Sequence, residues 1–178
     1  MEIIETGIAD VKVLKPKVFE DSRGYFFENY SEERYGACGV DCHFVQDNES
    51  MSMRGVLRGL HYQVAPHAQA KLIRVVRGAV LDVAVDIRKG SSTFGKYVMV
   101  ELSERNKHQI YIPHGFAHGF LVLEDNTVFS YKCDSYYSPA CERGLRWDDP
   151  TIAIPWPKLD IPFVLSEKDK KQPFLTDI

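Results

Sequence analysis

The sequence predicts an all-β barrel of the jelly-roll kind, on three observations: short runs rich in β-branched residues, turn residues between them, and almost no helical periodicity. The strongest run, "KLIRVVRGAVLDVAVDI" (Lys71 to Ile87), is broken by Arg77-Gly78, which reads as a hairpin. "KYVMVEL" (Lys96 to Leu102) follows a Gly/Ser/Thr-containing loop, and "NKHQIYI" leads to Pro113. "GFLVLEDNTVFSYKC" reads as two strands joined at Glu124-Asp125-Asn126. Only two segments read as helix. One is Ser31 to Tyr35, with Ser31 as N-cap. The other is Ser166 to Lys171, where Ser166 precedes Glu167 and Asp169 in the first turn. Pro155, Pro157, Pro162 and Pro173 cut the C-terminal region into short pieces.

With 178 residues the chain is expected to form one domain, 1–178. A chain of this size buries roughly 70% of its unfolded surface, so no metal or disulfide staple is required. The formal net charge is -3, with Lys and Arg dispersed, which excludes nucleic acid and membrane surface as the main partner. An anionic ligand must then be held by a few placed cations. No apolar run follows a basic start, and none approaches the ~18 residues of a membrane span. Cys38, Cys42, Cys133 and Cys141 match no zinc or redox spacing, so free thiols in a reducing cytoplasm are expected.

The chemistry-bearing residues begin in "VLRGLHYQ" (Val56 to Gln63). Strict alternation would point Arg58 and His61 to opposite faces. Gly59 lies between them, and a glycine bulge would turn both inward. From this stretch alone, a core histidine satisfied by hydrogen bonds and a functional one are equally open. "IPHGFAHGF" holds His114 and His118 four apart, a metal spacing on a helix, but Pro113, Gly115 and Gly119 argue against a helix. His67 sits in a Pro-containing loop. "HYQVAPHAQAKL" lacks the later Glu of an H-x-H metal set and offers Lys71, whose charge opposes a divalent ion, so metal is the weaker reading. "FSYKCDSYYSP" supplies Tyr131, Tyr136 and Tyr137, "LSEKDKKQP" supplies Lys168 and Asp169, and "DSRGYFFENY" supplies Arg23 and Glu28. Taken singly, the tyrosines read as packing residues and "LSEKDKKQP" as a solvated charge run.

Taken in order, the segments "DSRGYFFE", "FVQDNES", "GVLRGLHYQ", "QAKLIRVVRGAVLDVAVDIR", "STFGKYVMVELS", "IPHGFAHGF", "YKCDSYYSP" and "LSEKD" resemble the dTDP-4-dehydrorhamnose 3,5-epimerases of the cupin superfamily. The resemblance runs nearly end to end. It implies a double-stranded β-helix (cupin-like jelly roll), no metal, and no cofactor. The implied reaction inverts C3 and C5 of dTDP-4-dehydro-6-deoxy-D-glucose. Both carbons lie α to the C4 ketone, so removal of either proton gives an enolate.

The resemblance makes His61 the base, Asp169 the carboxylate that orients it, and Lys71 the cation near the enolate oxygen. Tyr131 is the phenol that returns a proton from the opposite face. Arg23 and Arg58 match arginines around the pyrophosphate. Glu28, Gln46, Asn48, His118, Glu142 and Lys168 match polar contacts to the ligand, and Tyr137 the ring on thymine, with Tyr25 or Phe26 as a second ring. A homodimer is implied, its N-terminal segments crossing over, with "VKVLKPKVF" as the exchanged strand. Three other readings compete: a single-position epimerase of a related sugar, a metal-dependent cupin enzyme using His61, His67, His114 and His118, and a non-catalytic nucleotide-sugar binder.

Overall fold

In the computed structural model, which describes residues 1–178, the expected all-β architecture is present as two facing antiparallel sheets and a separate hairpin. The first sheet orders β1 (Glu2–Ile4), β2 (Lys12–Lys15), β10 (Gln109–Ile112), β7 (Lys71–Arg77), β12 (Thr127–Cys133) and β5 (Gln46–Ser52). The second orders β13 (Glu142–Gly144), β6 (Leu57–Gln63), β11 (Phe116–Val122), β8 (Ala79–Asp86) and β9 (Tyr97–Ser103). β3 (Phe19–Asp21) and β4 (Gly24–Phe26) pair only with each other. From β5 onward, most connections carry the chain from one sheet to the other, which makes the barrel a jelly roll.

The hairpin expected at Arg77-Gly78 does not form, because β7 and β8 lie in different sheets. Gly78 has φ +77° and packs against Thr127, so it turns the chain across the gap where a side chain would not fit. A tight corner between sheets and a tight turn within one use the same residue. The two helical segments are short. Ser31 caps α1 (Glu32–Gly36) by accepting from the Arg34 amide at 3.4 Å. The expected Ser166–Lys171 helix shrinks to a single 3-10 turn at Asp169–Lys171, with Ser166 Oγ accepting from Asp169 N at 3.0 Å. A segment this short cannot offset the cost of helix nucleation without an apolar face to dock. No helix is long and apolar enough to cross a membrane.

Alternation decides what fills the barrel. Ile73 and Val75 of β7, Val80 and Ala84 of β8, Phe116, Phe120 and Val122 of β11, and Phe129 of β12 meet in one apolar core between the sheets. The outer face of the five-stranded sheet is covered by C-terminal residues, with Leu145, Ile152 and Leu175 packed on Leu60, Val83 and Ala117. The outer face of the six-stranded sheet is covered by Tyr35 and Val40, packed on Leu14, Leu72 and Tyr111. Each such fully buried Leu, Val or Phe contributes about 1.5–3 kcal/mol, which lets this frame hold charged groups inside.

The glycine bulge read from the sequence is present. The β6–β11 register runs His118 opposite His61, then slips so that Phe120 faces Arg58. Gly59 adopts φ +119°, and a Cβ there would stand 2.5 Å from Gly119 Cα and 2.7 Å from the His118 carbonyl. Two glycines therefore let β6 and β11 approach closely enough for Arg58 and His61 to share one side. Gly59→Ala is expected to cost about 2–4 kcal/mol of stability, from backbone strain plus overpacking, read as a lowered urea midpoint.

Candidate active site

The inward parity that builds the core also places polar side chains at one end of the barrel. On β7 it reads Lys71, Ile73, Val75; on β12, Phe129, Tyr131, Cys133; on β8, Val80, Asp82, Ala84. The apolar members meet in the core, while Lys71, Tyr131 and His118 line a cavity of about 690 Å³. His61 and Arg58 enter from β6, Asn48 from β5, and Glu142 from β13. Val164 to Ser166, with Lys168 and Asp169, form a strap along one wall, pinned by a parallel bridge from Val164 to Val56.

His61 Nε2 lies 2.5 Å from Asp169 Oδ1. An ionised carboxylate only accepts, so Nε2 carries the proton and Nδ1 is left as the acceptor. Burial pushes the Asp169 carboxyl upward. The His61 hydrogen bond and charge, the Ser166 hydroxyl and the Gly59 amide outweigh it and hold the group below the usual carboxylate range. Across the cavity, the six-stranded sheet presents Tyr131, whose phenol burial pushes above its ordinary value. Lys71 Nζ sits 5.9 Å from the Tyr131 ring centre. Burial lowers the Lys71 ammonium, against the pull of Cys133, Asp82 and Glu142. An imidazole backed by a carboxylate thus belongs to one sheet, and a phenol and a lysine to the other.

His118 Nε2 lies 2.9 Å from Asp82 Oδ2, and burial holds the imidazole below its ordinary range despite that carboxylate. Asp82 is fully buried, and its second oxygen has no partner in the protein. Sequence reading missed Asp82. A signal was there: in "AVLDVAVD" an aspartate falls on the inward parity of a buried strand, where it must find a partner. The rings of Phe120 and Phe129 stack with centroids 3.9 Å apart beside His118 and form an apolar floor.

At the mouth, Glu142 accepts from Lys168 Nζ at 2.5 Å and from the Tyr137 hydroxyl at 2.8 Å. Burial raises its carboxyl, but these two bonds bring it below the usual range. Arg58, which the bulge was expected to turn inward, is exposed at the cavity edge and donates to Ser52 Oγ at 3.1 and 3.3 Å. Gln46 stands beside the cavity, its carboxamide occupied by the Tyr137 amide and by Asn48.

Arg23 and Glu28 are not part of this chain's cavity. Arg23 is on the β3–β4 hairpin, its side chain 88% exposed and bonded to Asp21, and Glu28 pairs with Arg34 at 3.4 Å. The hairpin pairs with no other strand, and Lys107 Nζ lies 4.0 Å from the ring centre of its Tyr25. Tyr25 and Phe26 go with it and are exposed. His67 and His114 also lie outside the cavity: His67 is exposed, and His114 bonds Asp134 at 2.7 Å. The four histidines of the metal reading therefore do not converge.

Fold and site together define the class: a jelly-roll barrel of the cupin kind, with groups able to take and give protons facing one another inside it. A family model described as dTDP-4-dehydrorhamnose 3,5-epimerase matches residues 5–177. The chain belongs to the dTDP-4-dehydrorhamnose 3,5-epimerase family. It is 54% identical over 170 residues to the enzyme of that name from Shigella flexneri, covering 95% of this chain and 93% of the relative. It is 52% identical over 173 residues to that of Sinorhizobium fredii, covering 97% and 88%. Among solved structures, the dTDP-6-deoxy-D-glucose-3,5-epimerase of Legionella pneumophila, in complex with dTDP-4-keto-L-rhamnose, superposes with a TM-score of 0.95 at 48% identity, covering 98% of this chain and 93% of that one.

The lowered Lys71 has a consequence for stability. Between its lowered folded value and the unfolded value of ~10.4, the unfolded chain binds the extra proton, so stability rises with pH towards that unfolded value. Lys71→Met should lack this rise, seen by comparing urea midpoints of the two proteins from pH 7 to 10.5.

Proposed function

We propose that this protein is an isomerase, a 3,5-epimerase of dTDP-4-dehydro-6-deoxy-D-glucose that yields dTDP-4-dehydro-L-rhamnose. The observation that carries the proposal is the pairing of His61, on one sheet and backed by Asp169 of the strap, with Tyr131 and Lys71 on the other sheet, across a single cavity. Family membership supplies the substrate class.

In this mechanism the neutral His61 ring takes the C3 or C5 proton, and the electron pair moves onto the C4 oxygen as an enolate. Asp169 keeps the ring in the tautomer that accepts and stabilises the imidazolium that results. Lys71 supplies positive charge to the enolate oxygen. Buried beside apolar rings, that charge interacts more strongly than it would in water. Tyr131 then gives its proton to the opposite face of the carbon. The raised phenol pKa keeps it protonated and ready at neutral pH. No electrons leave the sugar, and proton exchange with water returns the His61 imidazolium to imidazole and the Tyr131 phenolate to phenol before the next inversion. His118 faces the sugar, Arg58 and Lys168 the diphosphate, and Asn48, Gln46 and Glu142 the polar edges of the nucleotide, with Tyr137 on thymine.

Arg23 and Glu28 join the site from a second copy of the chain. The exposed β3–β4 hairpin, with Phe26 70% exposed, is the segment that crosses in a homodimer of single-domain subunits. The N-terminal run that leads into it keeps β2 on β10 of its own barrel. Free cysteines and a nucleotide-sugar substrate both fit the cytoplasm as the compartment.

In deuterated water, the protein should exchange both C3 and C5 hydrogens of the 4-keto sugar nucleotide, followed by NMR. Exchange at neither carbon rejects the proposal, and exchange at one makes the protein a single-position epimerase. His61→Ala should abolish exchange at both carbons and leave dTDP binding largely intact. Tyr131→Phe should retain proton removal but lower product formation by ~10²–10⁴-fold, the usual worth of a general acid. Phe26→Asp should shift the protein from dimer to monomer in analytical ultracentrifugation and weaken dTDP binding as Arg23 is withdrawn; an unaltered dimer would place the interface elsewhere.

A further inference from the structure

The turn between β12 and β13, Asp134 to Ala140, carries Tyr137 at the cavity mouth, yet has almost no structure of its own. Ser135, Tyr136 and Tyr137 make no backbone–backbone hydrogen bond. Tyr137 is 53% exposed, and its hydroxyl bond to Glu142 fixes only the tip of the ring. The backbone is held instead by side-chain carboxamides, one residue after another. Gln69 Nε2 donates to the Ser135 carbonyl at 2.7 Å. Gln63 Nε2 donates to the Tyr136 carbonyl at 3.3 Å. Gln46 Oε1 accepts from the Tyr137 amide at 2.9 Å, and Gln63 Oε1 from the Ser138 amide at 2.7 Å. Gln63 Nε2 also donates to the His67 carbonyl at 2.6 Å and so ties the neighbouring loop into the same arrangement.

We propose that Gln63, with Gln46 and Gln69, forms a clamp that sets the position of the Tyr137 ring and thereby the affinity for the nucleotide base. The proposal rests on the reading of Tyr137 as the ring that stacks on that base. Gln63 is the central positioning residue. It is 7% exposed, and its single head group meets an amide on one side and two carbonyls on the other. Only a carboxamide satisfies both, since it carries an acceptor and two donors. A carboxylate of the same shape keeps the Ser138 bond but sets an anionic oxygen against two carbonyl oxygens. Buried polar groups left in that state are costly, and the turn relieves the conflict by moving. A binding ring fixed in advance loses less freedom when the ligand arrives, so the clamp acts on affinity and not on the proton transfers deeper in the cavity.

The test combines dTDP titration calorimetry with steady-state kinetics on the full-length protein. Gln63→Glu should weaken dTDP binding about tenfold and raise KM in step while kcat stays within about twofold, the loss of a buried hydrogen-bonded contact. Tyr137→Ala should show a similar loss, and the Gln63→Glu/Tyr137→Ala double variant should bind no more weakly than Tyr137→Ala alone, because coupled residues do not add. Unchanged dTDP affinity in Gln63→Glu, a fall in kcat at constant KM, or fully additive losses would each overturn the proposal. A clamp that served stability alone would lower the melting temperature and leave the affinity of the folded fraction unaltered, which also overturns it. If Gln63→Glu does not fold, Gln69→Ala carries the same cycle: it removes one bond from the half-buried side and should weaken binding about threefold. Failure of the epimerase reading is seen separately, as absence of turnover in the parent protein, and leaves the dTDP measurements to judge the clamp.

Discussion

The 2.5 Å contact between His61 and Asp169 is the interaction on which the rest of the site depends. It joins residues 108 apart in sequence and docks a strap of little regular structure onto a barrel strand. Ser166 and the 3-10 turn hold the carboxylate in place, and Val164 pairs with Val56 to hold the strap itself. Removing that carboxylate would therefore disturb three things together: the tautomer of the ring, the wall of the cavity and the position of Lys168. One hydrogen bond serves geometry and electrostatics at once, because it fixes the orientation of the imidazole and holds the Asp169 carboxyl below its usual range.

Buried charge at this end is tolerated because the remainder of the barrel is apolar and closely packed. Lys71, Asp82 and His118 all sit where burial works against their charged forms or leaves a lone pair unmatched. Asp82 offsets part of the desolvation of both Lys71 and His118, while the charge on Lys71 works against charging His118. Sequence parity allows this arrangement: the same alternation that sends Ile73 and Phe129 into the core sends Lys71, two residues before, and Tyr131, two residues after, into the cavity. Proteins that keep such groups inside accept lower stability for function.

Much of this was legible in the sequence, for reasons that also show where reading fails. β-branched runs and their turn residues located the strands, because both are local properties. Which sheet each strand joins is not local, and Gly78 shows it: the residue marks a sharp change of direction without saying whether the next strand pairs with the last. The Gly59 bulge was readable since a glycine inside a strand has few other uses. Asp169 was readable only through the resemblance, for "LSEKDKKQP" judged by charge alone is a solvated run, and nothing within it points to an imidazole 108 residues away. Asp82 carried a parity signal that was overlooked. Of the glutamines that hold the Tyr137 turn, Gln46 entered only through the resemblance, and Gln63, at the end of β6, and Gln69, in the loop after it, have nothing local that names the turn as their partner. Arg23 and Glu28 fit the family pattern but stand on and just after a hairpin that pairs with no other strand of the barrel, away from the cavity.

The strap also has a consequence for how the molecule comes into being. Every barrel strand precedes Asp169 in the chain, so during vectorial synthesis the strands are made before the strap that docks on them. At that stage the nascent chain has its lysine and phenol, and an imidazole that nothing orients. Of the groups that line the cavity, the carboxylate that fixes the imidazole is thus the last to be made.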